Sequence, residues 1–292
     1  MKRTHTNSLL VALWLCGGLA APAATTIDPA HPYAYAANAG WINAQGDITN
    51  GAVVGQAYLA GYLWSANCGW IGLGNVPTNR WRYANASVTD WGVNHDGAGQ
   101  LTGYAWGANI GWITFEQTYG QPRIDLCNGN LSGYAWGANV GWISLSNAQA
   151  YVQTTRFDPG PDSDGDGLPD PWELAHTNTL NALNGGTHDQ DRDGVTDAEE
   201  YAADTDPLND ADFLRIVSVS TSGSTNSLAW TSRPTRLYRL EATNTLVGTG
   251  AWTDVGPGLL GPPLVSPMTQ TLSGVTATTR FYRVQAVMPL SE

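Results

Sequence analysis

One pattern recurs four times in this 292-residue chain and limits what it can fold into. Ala37-Asn38-Ala39-Gly40-Trp41-Ile42, Ala66-Asn67-Cys68-Gly69-Trp70-Ile71, Ala108-Asn109-Ile110-Gly111-Trp112-Ile113 and Ala138-Asn139-Val140-Gly141-Trp142-Ile143 align without a gap. Their tryptophans lie 29, 42 and 30 residues apart, so the period is near 30, with about a dozen residues inserted before the third copy around Asn79–Ser87. A repeat of this length marks an architecture built from one supersecondary unit. Within the last copy Tyr134 and Trp136 share one strand face, and Gly133, Ala135 and Gly137 line the other. Asn139 and Gly141 tolerate the positive φ of a tight reversal, and Trp142-Ile143-Ser144-Leu145 alternates as a returning strand. Upstream, Arg123–Leu126 followed by Asn128-Gly129 reads as a further strand and hairpin turn. Each unit is therefore a small antiparallel meander with an aromatic face and a Gly/Ala face.

Two readings of the aromatics stay open, a core filling or a platform for a ligand. Large aliphatic residues are few here, so Trp64, Trp106, Trp136 and their partners are the expected core. The less regular Trp81, Arg82, Tyr83 and Trp91 of the insertion are the expected ligand contacts.

Charge divides the chain. Residues 158–212 hold 16 of the 25 acids and one arginine, Arg192, whereas the remainder is nearly neutral. The acidity thus belongs to one module, and no basic stripe exists that could release counterions from nucleic acid. Inside this module Asp162-Ser163-Asp164-Gly165-Asp166-Gly167-Leu168-Pro169-Asp170-Pro171-Trp172-Glu173 places acids at positions 1, 3, 5, 9 and 12, with glycine at 6. Asp189-Gln190-Asp191-Arg192-Asp193-Gly194-Val195-Thr196-Asp197-Ala198-Glu199-Glu200 repeats the register. This is the spacing of a twelve-residue calcium loop, in which alternate acids converge on one cation, the carbonyl at position 7 (Leu168, Val195) adds a ligand and a glutamate closes the shell. Unit charges about 4 Å apart repel by roughly 1 kcal/mol in water and about 4 kcal/mol at an effective dielectric of 20, so five acids per loop call for a cation. So many flexible carboxylates suit calcium better than magnesium, and two ions are expected.

The stretch from Asp162 to Asp212 resembles the thrombospondin type 3 calcium repeats of secreted bacterial proteins, including Glu200-Tyr201 and Thr205-Asp206-Pro207. It departs from an EF-hand, because Pro159-Gly160-Pro161 and Gly185-Gly186 exclude entering helices. Short exiting helices are expected near Trp172–Ala175 and Ala198–Ala203. The resemblance implies a structural calcium site rather than a conformational sensor. The aromatic copies look like the GYAW-type tryptophan-rich repeats of large secreted bacterial proteins, and the end of the chain, with Arg280-Phe281-Tyr282-Arg283-Val284, looks like the β-sandwich modules that follow such calcium repeats.

After Asp212, alternating runs at Leu214–Val219, Leu228–Trp230, Leu237–Ala242 and Arg280–Val287 predict a fibronectin- or immunoglobulin-like sandwich. Its Arg233, Arg236, Arg239, Arg280 and Arg283 read as a solvated sheet face. The first two dozen residues, with Lys2, Arg3, an apolar run from Leu9 to Ala20 and small residues at Ala21 and Ala23, have the layout of a signal peptide. The run is too short for a transmembrane helix of about 20 residues. Loss of Lys2 and Arg3 would take the formal charge from −12 to −14. Export permits Cys68 and Cys127 to pair as a disulfide.

The organisation expected is therefore mainly β and multi-domain: a signal peptide over 1–24, four tandem antiparallel meander repeats over 25–157, a paired calcium-loop module with short helices over 158–212, and a C-terminal β-sandwich over 213–292. No nucleophile elbow, zinc motif or phosphate loop appears. Glu116 and Asp125 are a pair of acids that a glycosidase could use, although strand-end capping is the simpler expectation, and His95-Asp96 in a Gly-rich turn is expected at the surface. The function expected is a secreted calcium-binding protein acting in adhesion or carbohydrate binding, with an extracellular glycan or cell-surface component as partner. An accessory polysaccharide hydrolase using Glu116 and Asp125 is the alternative.

Overall fold

The computed structural model describes residues 25–47, 49–247, 251–275 and 280–291. The expected signal peptide lies outside them. The chain is mainly β, with 19 strands and two short helices among the described residues. The first thirteen strands are β1 (Ile27–Ala36), β2 (Gly40–Asn43), β3 (Val53–Val54), β4 (Tyr58–Ser65), β5 (Gly69–Gly74), β6 (Val93–His95), β7 (Leu101–Gly107), β8 (Gly111–Thr114), β9 (Arg123–Ile124), β10 (Leu131–Ser132), β11 (Tyr134–Gly137), β12 (Gly141–Ser144) and β13 (Val152–Thr154). Helices α1 (Asp170–Thr177) and α2 (Asp197–Ala203) follow, then β14 (Ile216–Ser222), β15 (Thr225–Trp230), β16 (Leu237–Thr243), β17 (Thr253–Asp254), β18 (Met268–Leu272) and β19 (Phe281–Val287).

The four copies are four hairpins, β1–β2, β4–β5, β7–β8 and β11–β12, paired edge to edge. Strand β12 returns to β1, with Tyr35 opposite Ser144 and Ala36 opposite Ile143. The eight strands thus close into a barrel, which removes the unpaired edges an open sheet would leave.

Closure reverses the expected use of the aromatics. An eight-stranded barrel has an interior just wide enough for modest side chains, and here Ala34, Ala36, Ile42, Ile71, Leu73, Ala105, Ile113, Phe115, Ala135, Ile143 and Leu145 fill it. The residual interior void is only about 30 Å³. Stacked indoles have no room inside, so twelve Tyr and Trp rings point outward: Tyr33, Tyr35 and Trp41, Tyr62, Trp64 and Trp70, Tyr104, Trp106 and Trp112, Tyr134, Trp136 and Trp142, each 39–47 % exposed. The core expected at Trp64, Trp106 and Trp136 is therefore corrected to an external belt. Its geometry repeats, since Tyr33–Trp41, Tyr62–Trp70, Tyr104–Trp112 and Tyr134–Trp142 all meet edge to face with centroids 6.1–6.2 Å apart. Such edge contacts recover part of the cost of exposure.

The Asn-x-Gly turns have a second job besides reversal. Asn67 Nδ2 donates to the carbonyl of Ala39, Asn109 to Cys68, Asn139 to Ile110, and Asn38 to Val140, at 3.0–3.4 Å. Each copy thereby grips the preceding one, and the fourth carbonyl is gripped by the first copy, making a ring around one barrel end. The gripped residues Ala39, Cys68, Ile110 and Val140 are buried and plug that end. The four turn glycines, Gly40, Gly69, Gly111 and Gly141, all take φ of 72–76°, where a Cβ would be strained. Asn109→Ala is expected to lower the unfolding free energy by about 1 kcal/mol in urea denaturation, the value of one net hydrogen bond. Asn75→Ala, at an exposed position outside the ring, serves as the silent control.

This placement also explains why the expected disulfide does not form. Cys68 and Cys127 are both free. Cys68 is one of the four plug residues, whereas Cys127 lies exposed in the turn between β9 and β10, its Sγ 3.6 Å from where a Cβ on Gly261 would sit. An even cysteine count and an oxidising compartment do not suffice without adjacent Cβ positions.

Beyond the helices, β14-β15-β18 and β17-β16-β19 form two three-stranded antiparallel sheets. They enclose one core of Leu228, Trp230, Tyr238, Leu240, Leu260 and Leu272, which makes them the layers of a small sandwich. Its arginines divide: Arg283 is exposed and Arg239 and Arg280 partly so, as a solvated face requires, whereas Arg233 and Arg236 turn to the end of α2. Arg236 is buried and donates from Nε to the Ala202 carbonyl at 2.8 Å and from Nη2 to the Tyr201 carbonyl at 2.6 Å, capping the C-terminal end of α2. Arg233 donates to the Asp204 carbonyl and pairs with Asp212. Arg239 pairs with Asp254 and Arg283 with Glu241.

Candidate metal centre

The acidic segment between barrel and sandwich builds two equivalent loops. In each, the first aspartate spends its oxygens on backbone amides of the loop itself. Asp162 accepts from Gly165 and Gly167 at 2.7 and 3.1 Å, and Asp189 from Arg192 and Gly194 at 2.7 and 3.0 Å. The fifth-position carboxylates do likewise, Asp166 accepting from Leu168 at 2.8 Å and Asp193 from Val195 at 2.7 Å. These bonds curl the backbone so that one oxygen each from Asp162, Asp164 and Asp166 lies within 4.8 Å of the others, and the same holds for Asp189, Asp191 and Asp193. Both acidic triads can hold a metal ion. Arg192 takes φ of 69° at the position where the first loop has Gly165, so the second loop holds a non-glycine residue in the left-handed region.

Position 9 does something else. Asp170 accepts from the Ser163 amide and hydroxyl, both at 2.7 Å, and from Arg80 at 3.1 Å. Asp197 accepts from the Gln190 amide at 2.9 Å, the Asn184 amide at 3.0 Å and His188 Nδ1 at 2.7 Å. Both side chains are fully buried at the start of their helices. They tie position 2 of each loop to its exiting helix, a task that twelve-residue spacing does not separate from ligation.

Position 12 is the informative one. Glu173 and Glu200 have no solvent exposure. Neither oxygen of Glu173 has a hydrogen-bond partner, and Glu200 Oε2 is also unpaired. Burial pushes both carboxyls up to about 8, and the neighbouring loop aspartates push in the same direction. A buried acceptor without a donor costs on the order of 1–3 kcal/mol, more when charged. Two at matched positions fit a cation that satisfies them.

A pH dependence follows. Without metal, the folded chain keeps a proton on Glu173 and Glu200 that the unfolded chain releases near its ordinary value of 4.5. Their contribution is then fully present below about 4.5 and is lost as pH rises through about 8. Thermal melts in chelator are expected to fall in midpoint between pH 6 and 9. In excess calcium protons compete with the ion instead, so the midpoint is expected to hold or rise over that window.

Helices α1 and α2 exit the loops as the sequence predicts, α2 with a Thr196–Glu199 capping box. Leu168, Trp172, Leu183 and Tyr201 form a small core of their own. The segment is bonded to both neighbours: Gln56 of the barrel donates to Tyr201 Oη at 2.9 Å, Arg80 of the insertion reaches Asp170, and Arg236 of the sandwich caps α2.

The insertion residues fall into two places. Tyr83 is buried, its hydroxyl donating to the Leu59 carbonyl at 3.0 Å, and its ring fills space that a Cβ on Gly74 or Gly92 would enter. It is a wedge holding the insertion down, and it also lines the cavity beside Trp91. Trp91 crosses the aromatic belt, 5.2 Å from Trp112 and nearly perpendicular to it. The second copy has Gly72 where the others have Asn43, Thr114 and Ser144, and a Cβ there would touch Trp91 at 3.4 Å. Between them lies a cavity of about 310 Å³ walled by Tyr62, Trp70, Trp91 and Trp106 with Asn75 and Asp90. Trp81 and Arg82 lie elsewhere, at the joint of barrel, loops and sandwich.

Glu116 accepts the amides of Thr118 and Gly120 at 2.8 Å, which lowers its carboxyl below the ordinary value. Asp125 accepts from the Cys127 amide and Asn128 at 2.8 and 2.9 Å. Both acids are spent on turns. His95 is fully buried rather than at the surface, with Nδ1 3.0 Å from the Gly55 carbonyl.

No curated protein and no solved structure matches the chain. Among the described residues no helix is long and apolar enough to cross a membrane. The bacterial TSP3 repeat matches residues 162–179 and 189–210, the two loops and their exiting helices. Residues 162–210 thus carry bacterial TSP3 repeats, a calcium-binding, non-catalytic type of repeat typical of extracellular proteins.

Proposed function

We propose that this is a secreted, non-catalytic binding protein that holds carbohydrate on the outer face of its barrel and uses two calcium ions to fix the joint behind it. The observation that carries the reading is the belt of twelve half-exposed Tyr and Trp rings, continued by Trp91 into a groove with Asn75 and Asp90. Exposed aromatic patches mark interaction sites. Flat rings stack on the apolar faces of sugars, and a few polar groups at the groove edge fix orientation. Four equivalent ring clusters suit a repeating polymer, where weak contacts add through effective concentration.

The calcium ligands in this reading are Asp162, Asp164, Asp166, Glu173 and the Leu168 carbonyl in the first loop. Asp189, Asp191, Asp193, Glu200 and the Val195 carbonyl are their counterparts in the second. Calcium supplies charge neutralisation, and the residues supply a cage that pins α1 and α2. The ion therefore stiffens a joint already bonded to both β layers.

A glycan array probed with the calcium-loaded full chain is expected to show retention without turnover. Trp91→Ala and Trp106→Ala are each expected to weaken the retained glycan at least tenfold, with Glu116→Gln unchanged. Retention indifferent to both tryptophan variants, or glycan cleavage abolished by Glu116→Gln, would overturn the reading.

A further inference from the structure

The aromatic groove adjoins a second hollow of about 910 Å³, and Tyr62, Asn75 and Val76 line both. The barrel contributes Val53, Ala60 and Gly61 to this second hollow, residues with little side chain. The entry to the first calcium loop contributes Gly160, Pro161 and Ser163, and the insertion contributes Arg80. A path with the half-exposed Tyr62 ring at its middle therefore leads from the Trp91 groove onto the calcium segment. The two hollows together exceed the roughly 300–1,000 Å³ that encloses one drug-sized ligand, so the path suits a chain of several sugar units.

The two ends of the path are held by different parts of the molecule. Near the groove, the Tyr83 amide donates to Asn94 Oδ1 at 2.9 Å and the Tyr83 hydroxyl to the Leu59 carbonyl at 3.0 Å, both on barrel strands. Beside Trp91, the Gly92 amide donates to Asn85 Oδ1 at 2.9 Å. These bonds owe nothing to calcium. At the far end, Arg80 Nη1 donates to Ser163 Oγ at 2.6 Å and to the buried Asp170 carboxylate at 3.1 Å. Arg80 also takes φ of 60°, a conformation that a non-glycine residue keeps only where its surroundings over-determine it. Here those surroundings are position 2 of the first calcium loop and the residue that opens α1, so Arg80 and Ser163 are in place only when that loop is folded. Charge bears on the ligand as well. The two hollows carry the carboxylates of Asp90 and Asp158 and a single arginine, Arg80, which already serves Asp170, so a polyanion is disfavoured.

We propose that the barrel face holds a neutral glycan chain several units long, laid from the Trp91 groove across Tyr62 onto the first calcium loop, so that calcium controls the affinity of long chains and not of short ones. This rests on the carbohydrate reading of the belt and adds to it the length of the ligand and its regulation. By reciprocity, a long chain tightens calcium by the factor by which calcium tightens the chain.

Calorimetric titration of the full chain with the dimers and hexamers of β-1,4-glucan, β-1,3-glucan, α-1,4-glucan and β-1,4-mannan tests this. In millimolar calcium at least one of these series is expected to bind, its hexamer at least tenfold tighter than its dimer. Chelator is expected to erase that difference in the unmodified protein, and Arg80→Ala to erase it in calcium. Calcium titrated into chain saturated with the bound hexamer is expected to bind more tightly than into chain alone. A hexamer no tighter than its dimer, or a hexamer advantage that survives either chelator or Arg80→Ala, would overturn this proposal while leaving the carbohydrate reading in place. No binding of any of these sugars would instead count against the carbohydrate reading itself, and this proposal would fall with it.

Discussion

Chelating calcium from the full chain is expected to remove about 5 kcal/mol of stability from the joint. An ion present at a hundred times its dissociation constant adds about 2.7 kcal/mol per site through linkage, and there are two sites. The loss is larger for the loops than for either β layer, because the loops have little else. Their own core is four residues, Leu168, Trp172, Leu183 and Tyr201. Without the ion, the buried Glu173 carboxyl holds a proton up to about pH 8, because burial and the nearby Asp164 and Asp166 disfavour its charge, and it ties nothing to the loop. Scanning calorimetry at pH 7.5 is expected to show a low-temperature transition in chelator that merges with the main one in millimolar calcium. The fluorescence of Trp172, buried in this core, should shift to the red in the same step. Glu173→Gln and Glu200→Gln keep the side-chain volume and remove one charged ligand each. Each is expected to forfeit about half of the calcium-dependent gain. A melting profile indifferent to chelator would contradict the assignment of the loops as calcium sites.

The second large effect concerns the barrel and runs against residue size. Ile113→Ala is expected to cost about 2–5 kcal/mol, whereas Trp106→Ala, which deletes far more atoms, is expected to cost under about 1.5 kcal/mol. Ile113 is 2 % exposed inside a packed barrel and leaves a cavity when truncated. Trp106 is 41 % exposed and loses mainly its cross-strand contact with Trp112. Urea denaturation of the two variants compares them directly. A tryptophan variant more destabilised than the isoleucine variant would return the aromatics to the core.

These two cases show which links of the fold are readable from residues alone. The four-copy register, the hairpin reversals at Asn139-Gly141, the twelve-residue loops and their exiting helices were legible because each is set by local chemistry over a dozen residues or fewer. Alternation along Tyr134–Trp136 separates two faces but does not say which turns inward. That is decided by the pairing of β12 with β1, more than a hundred residues apart, and by the narrow interior that closure creates. The Asn ring was hidden for the same reason, since each bond joins neighbouring copies and the last joins Asn38 to Val140. Arg236 and His95 look like surface residues in sequence. They are buried because α2's terminal carbonyls and the Gly55 carbonyl wait for donors at places that only the assembled joint defines. The double role hidden in the loop spacing is subtler: Asp170 and Asp197 sit at ligand positions, yet Ser163 and Gln190 claim their oxygens.

The two loops hold the joint together, and one titration measures whether calcium fills them. Calorimetric addition of calcium to the metal-free full chain should reveal two ions bound per chain, reduced to one by Glu173→Gln and to one by Glu200→Gln. No calcium uptake, or two ions still bound by both variants, would contradict it.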